Sequence, residues 1–150
     1  MQVHRDPYNL PKFNTPVVTI GSFDGVHRAH LKILDRVLSL ADEIDGESIL
    51  VTFHPHPRKI IFPKDDTLQL LNTLEEKLFI LNSIGLDHVV IVPFSVEFSQ
   101  QNPREYIEKF LIDKFDPRYI VIGYDHRFGL NRGGNIDLLK QYNEQFGIIQ

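Results

Sequence analysis

Short apolar runs rich in β-branched residues alternate along this chain with stretches in which apolar positions recur every three or four residues. PVVTIG (16–21) has the continuous hydrophobicity of a buried strand and ends in glycine. From His30 onward, Leu34, Val37, Leu38, Ala41 and Ile44 fall on one face of a helix, and Gly46 suits the position just past its end. SILVTF (48–53), DHVVIVPF (87–94) and YIVIG (119–123) predict three further strands, and FGIIQ predicts the beginning of a fifth. A proline-rich loop follows the second strand. Thr73 with Glu76 forms a capping-box pattern opening a helix that Gly85 closes, and Asn102, Pro103 and Glu105 open another. A glycine-rich loop and a short helix near 135–146 precede the last run.

Strands alternating with helices, each strand apolar on both faces, imply an α/β fold with a Rossmann-like, doubly wound and mostly parallel sheet. No repeat, low-complexity run or linker divides residues 1–150, so one domain is expected. A chain that stops inside a predicted strand is expected to be a piece of a longer one.

Composition narrows the function. The apolar fraction of 42% and charged fraction of 24% are those of an ordinary soluble domain, and no run approaches the length of a membrane span. The first residues, MQVHRDPYNLPKF, lack the apolar run of a secretory signal. Without cysteine there is no disulfide framework and no thiolate metal site. A cytoplasmic protein is expected. The net charge of −4 argues against a nucleic-acid-binding face, although a small anionic ligand needs only a few local cations.

Those cations cluster. Open α/β sheets bind ligands beyond the carboxyl ends of their strands, where strand order reverses. GSFDGVHRAH, HPHPRK, FSVEFSQ and GYDHRFGLNRGG follow the four main strands in turn. They hold His27, His30, His54, His56 and His126, with Arg28, Arg58, Lys59, Arg127 and Arg132. In the first loop, Gly21 and Gly25 allow backbone to approach a ligand. His27 and His30 flank a helix start, where free N–H groups and the dipole favour anions, and imidazoles there can donate to phosphate oxygens. Alone, H-x-x-H is as consistent with a helix cap. In TFHPHPRK, prolines stiffen the backbone carrying two histidines, or simply make a surface loop. Phe62 and Phe94 suit either a stacking wall or core. Asp125 after the fourth strand can hold Mg²⁺ or orient a hydroxyl, or bond its own turn. Gly133 and Gly134 suit an unstrained turn. Glu75–Glu76–Lys77 has the composition of a solvated helix face. No P-loop, G-x-G-x-x-G or G-x-S-x-G motif is present.

Together, TIGSFDGVHRAH, TFHPHP, LLNTLEEK, the PFS-x-EFS run and GYDHRFG resemble, in order and spacing, the N-terminal adenylyltransferase module of bacterial bifunctional riboflavin kinase/FAD synthetase. The match runs from about Val17 to Gly134. The resemblance implies transfer of AMP from ATP to FMN, giving FAD and pyrophosphate, with Mg²⁺ required. It implies that His27 and His30 act as the nucleotidyltransferase H-x-G-H pair, that Asp125 joins them, and that Gly21, Ser22, Phe23, Asp24 and Gly25 shape the ATP pocket. His56, Pro57, Phe62, Asp125, Arg127 and Phe128 would lie toward the flavin. No dedicated protein metal site is implied. Departures are Ala29 for the usual glycine of the motif, Ser22 for the usual asparagine, and His126 for the usual phenylalanine. The family's downstream serine/threonine–arginine cluster and its C-terminal riboflavin kinase module are not within these residues, so impaired FAD synthesis is expected of this length of chain. Alternatives are another adenylyl- or cytidylyltransferase of the same fold, a zinc hydrolase built from His27, His30, His54, His56 and Asp125, and a non-catalytic nucleotide- or flavin-binding module.

Overall fold

The computed structural model describes residues 1–67 and 69–149. Six strands form one sheet: β1 (Gln2–His4), β2 (Val17–Ile20), β3 (Ser48–His54), β4 (His88–Pro93), β5 (Tyr119–Val121) and β6 (Gly147–Ile149). Their order is β1-β4-β3-β2-β5-β6, and every pairing is parallel. The predicted α/β class is therefore the observed one. Chain order runs outward from β2 to β3 and β4 on one side, and resumes with β5 and β6 on the other. The reversal falls between β2 and β5, and it opens a crevice at their carboxyl ends.

Helix α1 (Arg28–Glu43) covers one face of the sheet, burying Leu34, Val37, Leu40 and Ala41. These pack with Val17, Leu50, Val89 and Ile91, the strand positions pointing to that side. The opposite face takes Val18, Ile20, Ile49, Val51 and Val90 against Ile107, Phe110, Leu111 and Phe115. Alternate residues of β2 and β3 thus serve two separate cores, which explains the unbroken apolar runs. The second core comes from one continuous helical stretch: α5 (Pro103–Glu105), a π-helical segment (Tyr106–Ile112) and α6 (Asp113–Phe115). Helix α3 (Leu74–Ile84) begins at a Thr73/Glu76 capping box and ends at Gly85 in the left-handed conformation, as its sequence predicts. After α1, by contrast, Asp45 and not Gly46 takes the left-handed position, with φ of 53°.

Three short helices were not predicted as such. Pro57–Ile61 (α2) begins with His56 as cap and Pro57 in its first turn, inside the proline-rich loop. Val96–Ser99 (α4) is capped by Ser95. A 3₁₀ turn spans Leu130–Arg132. The short helix predicted near 135–146 is α7 (Ile136–Lys140), which begins after Asn135. Strand β1 also escaped prediction, being three residues long and mostly exposed. It docks on β4 and is fastened by side chains: His4 Nε2 lies 3.0 Å from His88 Nδ1, and His88 Nε2 lies 2.9 Å from Glu47 Oε1. Phe13 packs edge-on against both imidazoles. Gln150, the last residue of the fifth predicted strand, lies outside the described residues. No helix among the described residues is long and apolar enough to cross a membrane.

Candidate active site

A cleft of about 900 Å³ opens at the switch point between β2 and β5. Its walls are the β2 loop (Gly21–Asp24), the first turns of α1, and the β5 loop from Gly123 to His126. His27 is the cap of α1 and His30 its third residue. The His27 backbone N–H donates to His30 Nδ1 at 3.4 Å, and the two rings stack with centroids 3.7 Å apart. Phe23, buried and also beside His30 at 4.6 Å, backs the pair. Burial first, and then the neighbouring His27, hold the His30 imidazole below its ordinary pKa, with Asp24 opposing. A neutral imidazole keeps one N–H to donate and one nitrogen to accept.

Asp125 lines the same cleft from the other wall, exposed. His126 beside it is pushed down to about 4, chiefly by burial and further by Arg132, while Asp125 opposes. Sequence reasoning missed the two cations of the cleft's helix wall, Lys32 and Arg36. With Ala29 and Ile33 they fall at the i, i+3, i+4, i+7 spacing of one helix face, which was the available signal. Both are exposed and add positive charge where anions would approach.

The β2 loop is held in place by contacts within the protein. Phe23 and Gly25 both adopt positive φ, at 51° and 58°. A Cβ on Gly25 would meet the Leu71 side chain, and one on Gly21 would meet the Phe23 ring. Neither position has room for a Cβ, and of the two Gly21 lines the cleft while Gly25 does not. The Asp24 carboxylate accepts from the backbone N–H of Leu71 at 3.0 Å and of Asn72 at 3.2 Å. Lys77 is corrected too. It is 8% exposed, not part of a solvated face, and its Nζ donates to the Ser22 carbonyl at 2.9 Å and to Thr52 Oγ1 at 3.0 Å. Leu74, Leu78 and Leu81 point inward from the same helix, and Lys77 shares their stripe by spacing.

The residues expected on the flavin side are dispersed. His56, Pro57 and Phe62 sit on or beside α2 beyond β3, outside the cleft lining. His56 Nδ1 accepts from the Arg58 N–H at 3.1 Å, and its pKa is lowered by burial with Asp24 opposing, so it borders the β2 loop. Phe62 is 59% exposed and Arg127 is exposed. Phe128 is corrected: its ring stacks on Tyr106 at 4.8 Å inside the core and abuts Gly134, leaving it no free face for a ligand. The zinc alternative is split as well, since His54 and His56 lie outside the cleft that holds His27, His30 and Asp125. Among the described residues no three His, Asp or Glu side chains converge as a metal site.

Comparison with known proteins places the chain in a family. A model of the FAD synthetase family matches residues 11–150. The chain belongs to that family. Among curated FAD synthetase relatives, the bifunctional riboflavin kinase/FMN adenylyltransferase of Buchnera aphidicola from Acyrthosiphon pisum is 33% identical over 153 residues, spanning all of this chain and 49% of that protein. The protein of the same name from Escherichia coli K12 is 31% identical over 131 residues, covering 87% of this chain and 42% of the relative. The chain thus spans about half the length of the curated relatives it matches. Among solved structures, one titled macrolide-efflux protein from Streptococcus pneumoniae superposes with a TM-score of 0.84 at 21% identity, over 99% of this chain and 49% of that one. Pantothenate synthetase from Thermus thermophilus superposes at 0.60 and 14% identity, over 99% of this chain and 60% of that one. These two likenesses establish the FAD synthetase chain's fold and nothing more.

Proposed function

We propose that this chain transfers the adenylyl group of ATP to the phosphate of FMN. The observation that carries the reading is the stacked His27–His30 pair at the start of α1, inside the switch-point cleft. Family membership supports it. An FMN phosphate oxygen attacks the α-phosphorus, the bond from that phosphorus to the bridging oxygen breaks, and pyrophosphate leaves with the electron pair. No covalent enzyme intermediate is needed, so the protein acts by positioning and by stabilising charge. His27 and His30 donate hydrogen bonds to phosphate oxygens as negative charge moves onto the leaving group. The N-terminal amides of α1 and the side chains of Lys32 and Arg36 add to that field. Ser22, Phe23 and Asp24 form the floor against which the nucleotide lies.

The donor set fits Mg²⁺ brought by the nucleotide. Mg²⁺ is commonly held by one or two carboxylates together with substrate phosphates. Asp24 is engaged by two backbone amides, which leaves Asp125 as the exposed carboxylate of the cleft. Bound beside Asp125, the ion would neutralise phosphate charge. The flavin ring would rest outside the cleft, toward His56, Pro57 and Phe62, with Arg127 on the far wall. A riboflavin kinase module accompanying this chain, as in its bifunctional relatives, would supply the FMN.

The test is pyrophosphate release with ATP–Mg²⁺ and a panel of acceptors: FMN, riboflavin and a phosphopantetheine. It is run on this chain and on one extended to the relatives' length. FMN-dependent release accompanied by FAD is expected of the extended chain, and much slower release of this one. Release with phosphopantetheine and none with FMN would overturn the assignment.

A further inference from the structure

An ammonium group buried under a loop carbonyl is costly to place and must be held by its partners. Lys77 on α3 is such a group: burial lowers its pKa, with Asp24 opposing. Its Nζ bonds the Ser22 carbonyl and Thr52 Oγ1, and Thr52 Oγ1 in turn donates to the Ser22 carbonyl at 3.1 Å. One carbonyl therefore receives two donors from below. In a trans peptide the C=O and the following N–H point in opposite directions. With the Ser22 carbonyl turned down toward Lys77 and Thr52, the Phe23 N–H is turned away from both. Lys77 and Thr52 are not among the residues lining the cleft, whereas Ser22 and Phe23 are. Among the described residues, no acceptor is found for the Phe23 N–H. Phe23 and Gly25 carry left-handed φ, the kind of alternation that gathers backbone N–H groups into an anion-binding concavity.

We infer that Lys77 is a positioning residue for phosphate binding: it locks the Ser22–Phe23 peptide so that the Phe23 N–H is presented to an anionic ligand in the cleft. The inference rests on the nucleotide reading above and adds a residue that never touches the ligand. A neutral apolar side chain at position 77 would fill the same volume and let the peptide turn over. The loop would survive, because Leu71 and the Asp24 anchor hold it independently.

Lys77→Met, Lys77→Arg and Thr52→Val are compared with the parent chain, titrating ATP–Mg²⁺ and FMN separately by calorimetry. The ¹⁵N resonance of Phe23 is followed with each. Lys77→Met is expected to weaken ATP binding roughly tenfold, the effect of losing one well-placed donor to a charged group, and to leave FMN binding within about twofold. Thr52→Val should fall between, Lys77→Arg should restore part of the loss, and the Phe23 amide should stop responding to ATP in Lys77→Met. A folded Lys77→Met that binds ATP as the parent does would overturn the inference. Should Lys77→Met fail to fold, an unaltered affinity and amide response in Thr52→Val would do so. Equal weakening toward ATP and FMN would also overturn it, marking a general loss of structure. A parent chain that binds no nucleotide would overturn the functional reading itself, a result distinct from these.

Discussion

His27 and His30 lie ring against ring, 3.7 Å between centroids and 24° between planes, at the head of α1. His27 holds down the protonation of His30, because two adjacent cations would repel. His27→Asn and His30→Asn should each slow FMN adenylylation about 10²–10³-fold, the usual cost of removing a donor aimed at developing charge. Stopped-flow or steady-state kinetics would read this, and an intact rate in either variant would contradict the proposed roles. Because His27 is one cause of the lowered His30 pKa, His27→Asn should also raise that pKa toward its ordinary value in an NMR titration, without removing the contribution of burial.

His126 makes the fold acid-sensitive. Its folded-state pKa of about 4 lies below the ordinary 6.5, so as pH falls the unfolded chain takes up the proton first. The stability it allows is complete above the ordinary value and declines as pH falls through the interval down to about 4. His126→Phe removes this titration. Urea midpoints measured from pH 7 to 4 should fall less steeply in the variant, by about 1–3 kcal/mol in total. Parallel curves for the two proteins would show that His126 stays protonatable in the fold.

Gly25→Ala should destabilise the protein by about 1–3 kcal/mol, since it forces a Cβ onto left-handed backbone and into the Leu71 side chain. Adding Leu71→Ala removes the clashing Cδ1 and Cγ atoms but leaves the Cβ contact at 2.9 Å and the backbone strain. The double variant should therefore lose less stability than the sum of the two singles in a thermodynamic cycle. Strict additivity would mean that the contact relaxes without cost.

Much of this architecture was legible in the residues. The apolar runs marked five of six strands, the central ones being buried on both faces and β6 half-buried, and Thr73 with Glu76 and Gly85 bounded α3 at both ends. The histidine pair was placed correctly beside a helix start because strand, glycine and H-x-x-H follow directly in sequence. What the chain concealed depended on contacts across it. Lys77 looks solvated among its acidic neighbours until Ser22 and Thr52 come to it from other segments. Phe128 looks available until Tyr106 packs on it, and Lys32 and Arg36 gain meaning only once β5 supplies the facing wall. Strand β1 is too short to announce itself: its identity lies in its partner.

That last strand has a consequence for how the molecule comes into being. Gln2 pairs with His88 and His4 with Val90, so β1 and β4 must find each other across a long stretch of intervening chain. Until then the flank of β4 is a bare row of amides and carbonyls open to any passing strand. Loss of the β1–β4 pairing would leave the switch-point cleft untouched, yet could decide whether newly made copies stay apart or clump.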